Sequence, residues 1–313
     1  MEPRVARAVG LLLGALLDAV VPDPQRFHPV AGYGRAAGAL ERAVWADSRA
    51  RGTAYALVAV GVPALAGAVV ERRVRRSPAA QVALTAAVTW SVLGGTSLRR
   101  VGRGIGRSLG DGNVAAARDR LPWLCGRDPA QLDATELSRA TVESVAENTS
   151  DAAVAPLVWG AALGVPGLVA YRAANTLDAM VGSRSPRYAR FGWASARLDD
   201  VLNLVPARLT GALASAAAPV VGGSARTAWS VLLRDGGAHP SPNAGRCEAA
   251  FAGALGVRLG GRNVYAGRVE HRPLLGAEGR PCAGADAEGA ARLSAVTERL
   301  ALLVCCAAVV ARP

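Results

Sequence analysis

The sequence predicts an all-α, polytopic helical membrane protein with four to six membrane-embedded helices and polar helical and loop insertions. Three observations carry this. Half of the 313 residues are apolar, only 4% are aromatic, and the mean hydropathy is positive, the make-up of a helical membrane protein more than of a soluble enzyme. Three uncharged runs, 53–70, 79–98 and 152–171, meet or approach the ~20 apolar residues that cross a bilayer. The net charge is +12 and every basic residue is arginine, spread over the intervals between apolar runs.

Further runs at 8–22, 201–225 (with Arg208 inside) and 293–311 (with Glu298 and Arg299 inside) are weaker candidate spans. The first reads as a retained membrane helix: no small-x-small cleavage site follows it and Asp18 interrupts it. Run 152–171 holds Pro156, Gly160, Gly164, Pro166 and Gly167, so a broken or re-entrant helix is expected there. The basic stretch Arg72-Arg73-Val74-Arg75-Arg76 falls in the cytoplasm by the positive-inside rule. The chain is read as one integral-membrane domain, 1–313. Within it, 99–150 is a polar helical insertion and 226–292, rich in Gly, Pro and polar residues, a long extramembrane loop.

Composition also excludes. Without lysine there is no P-loop and no Schiff-base chemistry. Without a basic–aromatic stripe, the arginines suit lipid headgroups or phosphorylated ligands better than nucleic acid. Five cysteines without CxxC spacing give neither a disulfide framework nor a structural zinc site. The motif Gly102-x-Gly104-x-Gly106 lacks a preceding strand and reads as linker or helix packing.

The chemistry concentrates between residues 143 and 203, which hold six of the 24 acidic residues. Glu143, Glu147 and Asp151 are spaced i, i+4, i+8, roughly one helix face, where stacked like charges need a cation or arginines between them. Asn148 lies beside them. Asn175 and Asp178 follow one apolar run, and Asp199, Asp200 and Asn203 precede another. Their hard oxygens suit Mg²⁺ or a Mg-nucleotide; the competing reading is a solvated helix face and polar caps. Arg184, Arg187, Arg190, Arg197 and Arg208 interleave with the acids, and guanidinium suits phosphate and carboxylate. Arg208, inside an apolar stretch, is expected to have a buried partner. His28 follows the rigid Asp23-Pro24-Gln25-Arg26-Phe27 loop. His239-Pro240-Ser241-Pro242-Asn243 opens a helix whose exposed amides are candidates for phosphate.

Taken together these residues resemble the CobD/CbiB family of cobalamin biosynthesis, the adenosylcobinamide-phosphate synthases. The matching blocks are Asp23-Pro24 with His28-Pro29-Val30; Glu143-Ser144 and Ala146-Glu147-Asn148 through Asp151; Tyr171 with Asn175-Thr176-Leu177-Asp178; Arg187-Tyr188 with Phe191-Gly192; Ser195-Ala196-Arg197-Leu198-Asp199-Asp200 through Asn203 and Arg208; and His239 with Ser241-Pro242-Asn243 and Glu248. The blocks hold their order from residue 10 to about 276. The resemblance implies a multi-pass enzyme of the cytoplasmic membrane. Using ATP and Mg²⁺, it would join adenosylcobyric acid to (R)-1-amino-2-propanol or its O-phosphate through an amide bond. It also implies association with other enzymes of cobalamin assembly.

On that basis Glu143, Glu147, Asp178, Asp199, Asp200 and His28 form the catalytic pool. Glu147, Asp151, Asp199 and Asp200 are the metal candidates. Arg197, Arg208, Asn148, Asn175, Asn203, His239, Ser241 and Asn243 are the substrate and phosphate candidates. Ala31 stands where a basic residue is expected, Arg246-Cys247 where an aromatic and a proline are usual, and Ala152 where glycine is. Two other readings compete: a membrane prenyltransferase holding Mg-diphosphate on Asp199-Asp200-x-x-Asn203, and a non-catalytic corrinoid transport or assembly component. If Glu147 and Asp178 serve one site, the segment between them must bend back, dip shallowly or lie largely outside the bilayer.

Overall fold

The computed structural model describes residues 1–21, 28–183, 185–265 and 268–311. Helix dominates. In chain order the helices are α1 (Pro3–Val20), α2 (Pro29–Val44), α3 (Arg49–Val74), α4 (Pro78–Val92), α5 (Gly95–Gly110), α6 (Val114–Arg120), α7 (Ala134–Thr149), α8 (Ala155–Leu163), α9 (Val165–Val181), α10 (Trp193–Leu202), α11 (Leu204–Ala216), α12 (Ala225–Asp235), α13 (Ala244–Leu255) and α14 (Gly284–Val310). Strands β1 (Leu259–Tyr265) and β2 (Arg268–Leu275) pair as an antiparallel hairpin, so the chain is not wholly helical. Asp23, Pro24 and Arg184, singled out above, lie outside the described residues.

The chain packs as two compact units: residues 1–94, 155–203 and 302–313 form the first, and 95–154 with 204–301 the second. In the first unit α1 lies along α4 at close range. Gly10 and Gly14 make room there for Thr85 and Thr89, the small-residue approach that lets helix backbones near one another. Tyr55, Leu177, Val181 and Phe191 form a core between α3, α9 and the segment before α10, the Tyr55 and Phe191 rings 5.1 Å apart. In the second unit α13 is central. Its run of small residues buries nearly every position against α7, α11 and α12, around Phe251, Val142, Val145 and Val231.

Among the described residues two helices are long and apolar enough to cross a membrane, α3 and α14. Four to six such helices were expected, and the shortfall has local causes. Run 79–98 is broken after Val92, leaving 15 helical residues, about 22 Å. Run 201–225 divides between α10 and α11 and ends in a short 3-10 turn. Run 152–171 passes through a π-helical turn at Ser150–Val154 and then reverses at Gly164. In α14, Glu298 is tolerated within an apolar helix because Arg99 meets its carboxylate. The 226–292 segment, expected as a loop, folds into α12, α13, the hairpin and the start of α14; its glycines and prolines mark turns between short elements.

The bend at Gly164 makes α8 and α9 a helical hairpin. Gly164 has φ +72, and a Cβ there would press on the Glu71 carboxylate and the Arg7 guanidinium. Gly164→Ala should therefore destabilise the first unit by about 1–3 kcal/mol, read as a lowered Tm of detergent-purified protein. An unchanged Tm would show that the bend does not depend on this glycine.

Candidate active site

The candidate side chains gather in two places, one in each unit. In the first, the register of α9 puts Arg172 and Asn175 one turn apart, facing Asp199 of α10 and Asn203 at its C-cap. Arg172 is anchored through Nε at 2.8 Å, and also through Nη2, on the Val92 carbonyl that the break after α4 leaves open. Its Nη1 donates to Asn175 Oδ1 at 3.3 Å. Asn175 Nδ2 donates to Asp199 Oδ1 at 3.3 Å, and Asn203 Nδ2 to Asp199 Oδ2 at 3.0 Å. Tyr171 donates its hydroxyl to Asn203 Oδ1 at 3.0 Å.

This chain has a polarity. Arginine only donates, so Asn175 turns its oxygen to Arg172 and its amide hydrogens to Asp199. Both Asp199 oxygens thus receive donors, the arrangement an ionised carboxylate satisfies. Burial pushes the Asp199 carboxyl upward, the Asn175 and Asn203 hydrogen bonds pull it back, and neighbouring Asp200 adds to the rise.

Next to this chain lies a cavity of about 720 Å³, lined among others by His28, Arg35, Ser91, Arg172, Thr176 and Met180. His28 caps α2, its Nδ1 accepting from Val30 N–H at 3.3 Å. The basic residue missing at position 31 has a counterpart one helical turn on, since Arg35 lines the same cavity as Ala31. Asp178 sits partly exposed on the last turn of α9. Asp200 is partly exposed and pairs with Arg197 at 3.2 Å.

Other arginines are occupied elsewhere. Arg187 binds Glu41 at 3.0 Å and stacks over Trp45, closing the loop before α10 onto α2. Arg190 lies 3.6 Å from Asp47 at the surface. Arg208 is exposed and donates to Leu204 O of its own helix at 2.8 Å, and the buried partner expected for it is not found among the described residues. Its long stem rides out of the apolar run to an exposed guanidinium.

In the second unit, a capping box of Asp133 and Glu136 starts α7. Glu143, 2% exposed, receives Arg127 on Oε2, and on Oε1 both Arg139 at 3.4 Å and the Gly260 N–H at 2.7 Å. Arg139 also reaches the Gly260 carbonyl, Asn263 Oδ1 and the Arg262 carbonyl. Glu143 and Arg139 thereby fasten the hairpin to α7. Glu147 is half-buried one turn further, and Asn148 donates back to Ser144 O at 3.0 Å. Asp151 falls on the π-helical turn, so the regular i, i+8 relation to Glu143 is lost. Such turns recur at functional sites.

Facing α7 is Glu248 of α13, 1% exposed, with neither carboxylate oxygen hydrogen-bonded among the described residues. Burial pushes its carboxyl well above the usual range, Glu143 and Glu147 add to this, and Arg272 and Arg127 oppose it. His239 Nε2 lies 3.9 Å from Glu248 Oε1. Burial, then Arg272, bring the His239 imidazole down to about 4. Its Nδ1 accepts from Ser241 N–H at 3.0 Å, which leaves the proton of the neutral ring on Nε2. Ser241 Oγ accepts from Asn243 N–H at 3.3 Å and Ala244 N–H at 3.2 Å. Two of the amides considered above as a phosphate cradle are therefore already answered within the loop.

Several side chains at these places received no role in the sequence reading: Arg35, Arg172, Arg127, Arg139 and Glu248. Arg172, a charge among apolar and amide residues, and Glu248, an acid at the head of the apolar run 249–255, carry a legible signal. Arg127 and Arg139 do not, because their partners come from distant segments.

Glu248 gives a pH-dependent prediction. A carboxyl raised in the fold is favoured when protonated, so its contribution is complete below the unfolded value of about 4.3 and is lost as pH rises through the folded value. Glu248→Gln removes that loss. In metal-free buffer its Tm advantage over wild type should be near zero at pH 4.5 and grow toward pH 8, each pKa unit amounting to about 1.4 kcal/mol. Parallel Tm curves would refute this account of the buried carboxyl.

A family model described as CobD/Cbib protein matches residues 11–294. The chain is 55% identical over 292 residues to cobalamin biosynthesis protein CobD of Mycobacterium tuberculosis H37Rv, covering 93% of this chain and 92% of that one. It is 43% identical to the Geobacter metallireducens protein of the same description, over 94% of each chain. It is also 42% identical to that of Rhodobacter capsulatus, over 79% and 78%. No solved structure matches it. The chain belongs to the CobD/CbiB family of cobalamin biosynthesis proteins.

Proposed function

We propose that this chain is the membrane-resident ligase that joins adenosylcobyric acid to (R)-1-amino-2-propanol or its O-phosphate, using ATP and Mg²⁺. One observation supports it most: a carboxylate held by two oriented amides stands beside a cavity lined by two arginines and a histidine. ATP would transfer its terminal phosphoryl group to the corrinoid carboxylate, releasing ADP. The amine nitrogen then attacks the acyl carbon, the bond to phosphate breaks, and inorganic phosphate and one proton leave.

In this reading Arg35 and Arg172 hold an anionic substrate group, with His28 at the same cavity. Asp178, one turn beyond Asn175, takes the proton of the amine. Hard carboxylate oxygens fit magnesium, which supplies charge neutralisation at the nucleotide phosphates when bound. Asp199 with Asp200 is the candidate holding pair of the first unit, and Glu147 with Asp151 that of the second. Among the described residues no three His, Cys, Asp or Glu side chains form a ready-made cage. That suits an ion held by one or two carboxylates plus substrate phosphates.

Purified protein given adenosylcobyric acid, MgATP and either amine should yield the amide conjugate by mass spectrometry, with one ADP per conjugate. No conjugate with either amine would overturn the proposal. Consumption of a prenyl diphosphate, or corrinoid crossing vesicles without amide formation, would replace it with one of the competing readings.

A further inference from the structure

The first unit holds another cavity, of about 550 Å³, that the proposed reaction does not use. Glu2, Arg4, Arg7, Arg75, Gln81 and Val309 are among its lining residues. The start of α1, the turn after α3 and the last turn of α14 meet there. The two helices long and apolar enough to cross a bilayer thus both finish at this cavity. An opening at the common end of two such helices falls at headgroup depth.

Its chemistry is that of an anion receptor with a hydroxyl acceptor. Arg4 and Arg75 are exposed, and Arg72, Arg73 and Arg76 crowd the same turn. Arg7 lies deeper, braced by Ala161 O at 3.4 Å and by Glu71 at 3.7 Å. Gln81 is 2% exposed, and its Nε2 is committed to Pro3 O at 3.1 Å. That contact fixes the amide orientation. Oε1, among the described residues, then has no hydrogen-bond partner. A buried acceptor is costly to leave unanswered, and a ligand hydroxyl would answer it.

We propose that this cavity binds a phosphate group carrying a nearby hydroxyl. That chemistry is shared by the headgroup of phosphatidylglycerol and by free glycerol phosphate. The arginines hold the phosphate oxygens and Gln81 Oε1 accepts from the hydroxyl. A basic cluster at the end of a spanning helix is the usual seat for anionic headgroups.

The test uses the full-length protein, delipidated in neutral detergent and titrated with phosphatidylglycerol or phosphatidylcholine while adducts are counted by native mass spectrometry. Wild type should retain phosphatidylglycerol and not phosphatidylcholine, with retention falling as salt rises. Arg4→Gln and Arg75→Gln should each weaken it about fivefold, and the pair about 25-fold. Gln81→Leu should erase the preference for phosphatidylglycerol over phosphatidic acid, which lacks the headgroup hydroxyl. Competition by millimolar glycerol 3-phosphate would identify the free compound as ligand; its failure to compete would identify the lipid, and both support the site. Equal retention of phosphatidylcholine, or full affinity in a double variant of wild-type Tm, would overturn it. Should that variant not fold, salt-independent retention by the wild type would overturn it as well.

Discussion

Asp199→Asn is expected to lower ATP-dependent coupling by about 10²–10⁴-fold, the range lost with a group acting at the reacting centre, at equal or higher Tm. The substitution keeps the volume and removes a buried negative charge. One carboxylate oxygen is replaced by an NH₂ group that faces either Asn175 or Asn203, each already presenting its own NH₂. On the Asn203 side, turning that amide over would set its NH₂ on the Tyr171 hydroxyl oxygen, which can accept. On the Asn175 side the change cannot be absorbed by rearranging the network. Turning Asn175 over would set its NH₂ against Arg172, which has no acceptor to offer. The variant therefore loses at most one hydrogen bond, about 1 kcal/mol, and regains the desolvation that burial imposes on the carboxylate. Stability and activity should separate, and mass-spectrometric initial rates beside Tm values would show it. Wild-type coupling in a folded Asp199→Asn protein would remove Asp199 from the chemistry while leaving the proposed reaction to be carried by α7.

Part of this site was legible in the sequence because it is local. Asn175 and Asp178 lie on one helix, and Asp199 and Asn203 are a turn apart, so periodicity alone places them. The break in 152–171 was legible too, since clustered glycine and proline oppose a straight helix; its position at Gly164 was not, because any of three glycines would serve. What stayed hidden was relational. The charge of Arg172 stands out in the sequence, but its role does not, because its anchor, the Val92 carbonyl, becomes available only where α4 stops. The hairpin was hidden because two glycines at its start, Gly260 and Gly261, adopt φ near +85 and lower strand propensity in the very segment that pairs. More apolar runs were read as spans than the two described helices that pass for length and apolarity, because hydropathy measures apolar composition, and the small residues that raise it here also fill the cores of both units.

The three acids of α7 are alike in sequence and different in surroundings, which makes Glu143 the informative one to remove. Glu143→Ala should cost about 3–5 kcal/mol, the loss expected when one member of a buried ion pair is deleted. Arg127, 7% exposed, would keep its charge without the carboxylate that meets it, and the Gly260 N–H would lose its acceptor. Arg139 would be left holding β1 through the Gly260 and Arg262 carbonyls and Asn263 Oδ1. Hydrogen exchange should therefore accelerate in Leu259–Leu275 and at the start of α7 well before the core of α13. Glu143→Gln, which still accepts from Arg127, should recover part of the Tm and, if the residue serves only to organise the unit, the same part of the activity. A glutamine variant that regains stability and hairpin protection but no coupling would show that the Glu143 charge is used in the reaction. The corresponding substitutions at Glu147 and Asp151, both partly exposed, should leave the stability within about 1 kcal/mol of wild type. An effect on coupling there reports on chemistry directly.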